Sequence, residues 1–88
     1  MKLEVSVTNK NGLHARPSIA LVQKAKEFEA KIKIHVNGTV VNATDVLQVL
    51  SLGATCGTKL TLEAEGKDAE QALNELEALF KNNFNVVY

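Results

Sequence analysis

KIKIHVNGTVVN, residues 31–42, decides the fold. Ile32, Ile34 and Val36 alternate with Lys31, Lys33 and His35, the period-two pattern of a strand with one dry face and one wet face. Asn37-Gly38 then supplies the residue types that a two-residue type I′ turn needs, and Thr39-Val40-Val41-Asn42 returns beside the first strand. A tight hairpin in mid-chain predicts a mainly antiparallel sheet.

Upstream, Leu3, Val5 and Val7 alternate with Glu4, Ser6 and Thr8, a further strand. Pro17 suits a first helical turn, and Ala20, Leu21, Ala25 and Phe28 recur toward one side of a helix of about three turns. Downstream, Asp45 with Gln48 forms a capping-box pattern ahead of Val46, Leu47, Val49 and Leu50, a short second helix. Gly53 and Gly57 bracket a turn, Leu60 and Leu62 alternate with Thr61 and Glu63, and Gly66 ends that strand. Asp68 with Gln71 repeats the capping pattern, and Ala69, Ala72, Leu73, Leu76, Leu79 and Phe80 hold the helical period. The order is βαββαβα, an α+β arrangement in which three helices cover one face of a four-stranded antiparallel sheet and the other face meets water. With no internal repeat or linker, residues 1–88 are expected to form one domain.

Lys+Arg and Asp+Glu number ten each, a formal net charge of zero, which excludes binding of nucleic acid or anionic membrane through bulk charge. A lone Cys56 cannot form an internal disulfide, and the charges interleaved in Met-Lys-Leu-Glu-Val are unlike a secretory leader, so a cytoplasmic location is expected. No apolar run approaches the roughly 20 residues needed to cross a bilayer. His14, His35 and Cys56 match no zinc spacing, so no metal is expected. His35 reads as a surface residue, Cys56 as a small filler in its turn, and Gln23, Lys24, Lys26, Glu27 and Glu29 as a solvated helix face. An RNA-binding sheet, a rival from another class, needs aromatics on its strands; this chain has no Trp, and its Phe residues and Tyr88 fall in helices or the tail.

GLHARPS, residues 12–18, carries the chemistry. A helix start presents N–H groups without intrahelical acceptors and the positive end of the helix dipole, which together favour an anion. His14 falls just outside the helix body and Arg16 near its cap. A neutral ring nitrogen can attack phosphorus. The phosphoryl group would then lie against the amides, with the Arg16 guanidinium adding charge-assisted bonds. Helix-terminus interactions supply about 0.3–1 kcal/mol, or about 2 when partly buried, against the roughly 8 kcal/mol or more behind an enzymatic rate enhancement. That magnitude points to a carrier whose chemistry partners complete, and no Walker loop, metal triad or carboxylate pair offers other machinery or calls for a cofactor. From residue types alone, His-Ala-Arg-Pro also reads as an ordinary solvated helix start.

GLHARPS at 12–18, LVQKA at 21–25, NGTVVNATDVLQVLSLGATCG at 37–57 and EGKDAEQAL at 65–73 together resemble the HPr family, phosphocarriers of the bacterial phosphoenolpyruvate-dependent sugar phosphotransferase system. The resemblance covers essentially the whole chain and implies an open-faced β-sandwich. It implies that His14 is phosphorylated on Nδ1 by phosphorylated enzyme I and discharged to IIA domains, with Arg16 as the active-site arginine and Pro17 as the helix-initiating proline. Asn11, Ala15, Arg16 and Ser18 are the expected surroundings of the phosphate. Ile19, Val46, Leu47 and Leu50 are the expected docking surface of a monomer that binds neither nucleic acid nor membrane. Asp45 stands where many members carry a regulatory serine, and its carboxylate has no hydroxyl for a serine kinase to modify. A regulatory role in the nitrogen-related branch of the phosphotransferase system is the alternative, since His14 is compatible with both.

Overall fold

The computed structural model describes residues 1–8, 12–82 and 84. Asn37 (φ 49°) and Gly38 (φ 84°) both take positive φ, closing the hairpin between β2 (Lys31–Val36) and β3 (Thr39–Asn42) so that Ile34 faces Val41 and His35 faces Val40. The other side of β2 pairs antiparallel with β4 (Lys59–Glu65), which sets Ile34 opposite Leu62. β4 in turn pairs antiparallel with β1 (Lys2–Ser6), which sets Val5 opposite Leu60. The sheet order is therefore β1-β4-β2-β3, antiparallel throughout.

Pleating sends Val5, Ile32, Ile34, Leu60 and Leu62 inward, where helices α1 (Ala15–Ala25), α2 (Val46–Ser51) and α3 (Ala69–Lys81) cover them. Leu21, Val22 and Ala25 come from α1, Val49 from α2, and Ala72, Leu73, Leu76 and Phe80 from α3, all in one buried cluster with the strands. Fully burying a side chain of Leu or Ile size contributes about 1.5–3 kcal/mol, so this shared cluster holds the helices to the sheet. Lys31, Lys33 and Lys59 lie exposed on the opposite face. This is the expected α+β open-faced sandwich.

The two Asp-x-x-Gln patterns have different outcomes. Asp45 is the N-cap of α2, its Oδ1 accepting from the amides of Leu47 at 3.0 Å and Gln48 at 3.3 Å. Gln48 reaches past the cap amide: its Oε1 accepts from the Asn42 amide at 2.9 Å, while its Nε2 donates to Asp45 Oδ2 at 3.2 Å. Asp68 also stands at a cap position, but its side chain makes no bond to α3, contrary to the capping pattern in the sequence. Its Oδ2 accepts from the Glu29 amide at 2.9 Å and its Oδ1 from the Ala30 amide at 2.8 Å, and Gln71 donates to Glu75 instead. The cause is proximity: a side chain at Gly66 would come within 3.0 Å of the Ala30 backbone, so the turn before α3 lies directly on the segment that enters β2.

Cys56 is exposed, with its Sγ toward the Thr8 carbonyl at 3.8 Å, which corrects its reading as a filler. Its turn is held by backbone, through Gly57 N–H to Val7 O at 2.7 Å and Thr58 N–H to Thr55 O at 3.0 Å, and needs no side chain inside it.

Candidate functional site at the start of the first helix

His14 is the N-cap of α1, in extended geometry (φ −81°, ψ −167°), half-buried, and its side chain makes no capping bond to the helix. The first turn contains no acidic residue. Helix geometry leaves the Ala15 and Arg16 amides without an intrahelical acceptor, and Pro17 has no N–H. The N-terminus of α1 thus presents donors and positive dipole with no acidic residue in its first turn, while both Ala15 and Arg16 are exposed to solvent. An imidazole, two backbone donors and a guanidinium are brought together within one turn.

Below this surface the backbone is held tightly. Gly12 has φ +69°, and a Cβ there would lie 2.4 Å from the Ala54 carbonyl oxygen, so close passage of the two loops requires glycine. Leu13 is 4 % exposed, and its N–H donates to Ala54 O at 2.8 Å. Pro17 is buried, and Ser18 is fully buried, its hydroxyl donating to Leu13 O at 3.2 Å and its N–H to His14 O at 3.1 Å. Ser18 therefore corrects the expectation of a phosphate contact: both its donors are committed beneath the site. Asn11 lies outside the described residues.

Gly12 and Ala54 are contributors that the sequence reading did not assign. The glycine in GLHARPS was the available signal, whereas Ala54 approaches from a loop some forty residues away, and no local pattern marks it.

The expected docking residues divide. Leu47 is 74 %, Ile19 47 % and Leu50 36 % exposed, on α1 and α2, which pack against each other. Val46 is half-buried against the core, and Val49 takes the inward position. Asp45 is half-buried, with both carboxylate oxygens engaged in the cap. A hollow of about 690 Å³, lined by Phe28, Ile32, Lys33, Val40 and Gln48 among others, includes neither His14 nor Arg16.

His35 projects from the outer sheet face, where its Nε2 lies 2.7 Å from Glu63 Oε1. That hydrogen bond, with smaller help from Lys2 and Lys33, holds the Glu63 carboxyl below its ordinary value. Among the described residues, no helix is long and apolar enough to cross a membrane.

A family model described as the PTS HPr component phosphorylation site matches residues 1–82. The phosphocarrier protein HPr of Treponema pallidum (strain Nichols) is 41% identical over 80 residues, covering 91% of this chain and 91% of its own. The crystal structure of HPr-C-His from Thermoanaerobacter tengcongensis superimposes with a TM-score of 0.95 at 34% identity, covering 100% of this chain and 99% of that one. That of a phosphocarrier protein HPr from Bacillus anthracis str. Ames gives 0.87 at 41% identity over 91% and 95%. With its sheet order, its helix start bearing His14 and these matches along nearly its full length, the chain belongs to the HPr family of phosphocarriers of the phosphotransferase system.

Proposed function

We propose that His14 accepts a phosphoryl group from phosphorylated enzyme I and delivers it to IIA domains of the sugar branch. The Nδ1 lone pair attacks phosphorus, a P–N bond forms, and the bond to the donor breaks with its electron pair staying on the donor. Discharge to IIA reverses the roles. The single observation that carries this reading is the half-buried His14 at the cap of α1, ahead of two amides with no intrahelical acceptor and no acid in the turn.

Arg16, exposed two residues on, balances the added charge, and the Ala15 and Arg16 amides donate hydrogen bonds to the phosphoryl oxygens. Ile19, Leu47 and Leu50, with the half-buried Val46, form the docking surface that both partners use in turn. An open surface suits a carrier, since each partner must bring its own reacting group to the same ring nitrogen. The protein is a stoichiometric carrier that acts as a cytoplasmic monomer, and Asp45 serves as a cap rather than as a modification site.

Enzyme I with labelled phosphoenolpyruvate is the test, applied to wild type and His14→Ala. Acid-labile, alkali-stable label on wild type alone is expected, and equal label on both proteins would remove the reading. Chasing the labelled protein with IIA acceptors of the sugar and nitrogen-related branches, using the enzyme I of each, then assigns the branch; transfer confined to the nitrogen-related acceptor would overturn the sugar assignment.

A further inference from the structure

We propose that Ser18 is a positioning residue for phosphotransfer, holding the two peptide carbonyls that flank the His14 α-carbon. The inference rests on His14 as the phospho-acceptor. The Ser18 N–H donates to His14 O at 3.1 Å, and its hydroxyl donates to Leu13 O at 3.2 Å. One small side chain and its own amide therefore bind both sides of the residue whose ring must meet a partner.

The hydroxyl bond answers a specific deficit. Leu13 precedes the cap residue His14, so its carbonyl lies outside the hydrogen-bond ladder of α1 and takes no donor from the helix backbone. Leu13 and Ser18 are 4 % and 0 % exposed, and a buried carbonyl left without a donor is costly. The Ser18 hydroxyl supplies that donor. On its other side the Leu13 peptide is fixed by its N–H to Ala54 O at 2.8 Å, and Gly12 has no room to shift toward Ala54. With the Leu13 peptide gripped at both ends, the rotation that remains at His14 is limited by the Ser18 amide. The Cα–Cβ direction of His14 is thereby set relative to the start of α1, whereas proline alone would fix the helix and leave the preceding peptide loose.

Positioning of this kind acts on the reacting geometry and not on docking, because Ile19, Leu47 and Leu50 lie outside the Leu13–Ser18 contact. Ser18→Ala removes the hydroxyl and keeps the amide; Ser18→Cys keeps the shape but donates weakly. With enzyme I and phosphoenolpyruvate, both variants should lower kcat for phosphorylation of the protein roughly five-fold, the effect of one lost hydrogen bond, at unchanged KM. In the unphosphorylated protein, the His14 ring resonances should shift or broaden in both variants, while those of His35, held on the sheet face by Glu63, stay in place. Wild-type kcat in either variant, a loss confined to KM, or equal perturbation of both histidines would overturn the proposal. Absence of label on wild type would instead remove the phospho-acceptor reading, and the ring resonances would still decide whether Ser18 orients His14.

Discussion

The first and second helices begin in opposite ways although they pack against each other. At α2 the Asp45 carboxylate accepts from two amides of the first turn, so the helix end is satisfied from within the chain. At α1 the cap residue is a histidine whose side chain makes no such bond, the first turn has no acid, and one of its N–H groups is deleted by proline. Both are the same backbone problem, the orphan donors of a helix start. One is closed by an internal anion, and under the function proposed above the other takes the phosphoryl group as its anion. A carrier needs the second solution, since an aspartate in place would compete with the phosphoryl group it must hold.

The two histidines repeat the contrast. His35 has a carboxylate at hydrogen-bond distance on a sheet face, and His14 stands at a helix end whose first turn carries no acid.

Removing the internal anion from α2 is the strongest way to break the comparison. Asp45→Ala should cost about 1 kcal/mol of stability, the usual worth of such a cap, which lowers the melting temperature by about 4–8 °C in a protein of this size. Calorimetry checks it, and phosphorylation of His14 should be unchanged; an unaltered melting temperature would mean that the Asp45 bonds contribute nothing. Supplying an anion to α1 sharpens the comparison from the other side. Ala15 is exposed, so Ala15→Glu should dock its charge at the helix start for about 0.3–1 kcal/mol, which as competition with the phosphoryl group lowers its equilibrium occupancy on His14 about two- to five-fold. Occupancy equal to or above wild type would show that the helix end plays no part in holding the group.

The smallest effect concerns the histidine that already has its acid. Glu63 is held below its ordinary value of 4.5, so its contribution is fully present above that pH and fades as pH falls through the lower, folded value. Over that window the unfolded chain binds more protons, and wild-type stability falls with falling pH. In urea titrations across an acid series, the difference between wild type and Glu63→Gln should therefore shrink below about pH 4.5. A difference that stays constant across the series would exclude the His35 bond as its origin.

Features set by neighbours in the chain were legible before any coordinates. Alternation in 31–36 and the Asn37-Gly38 turn specified the central hairpin, because side-chain direction and positive φ are local properties. Pro17 marked the start of α1 beside His14 for the same reason. Features set by what lies opposite were not legible. Asp45 and Asp68 share one local pattern, yet Asp45 binds its own helix while Asp68 binds the Glu29 and Ala30 amides, which the packed fold brings closer than its own helix donors. Ser18 follows the same rule: its sequence neighbours suggested a phosphate contact, and burial turned its hydroxyl to Leu13. Cys56 ended on the surface because backbone bonds to Val7 and Thr55 hold its turn. Period and turn chemistry are written in single segments, whereas a polar side chain with several partners within reach binds the one that packing sets against it, and only the assembled tertiary structure decides which that is.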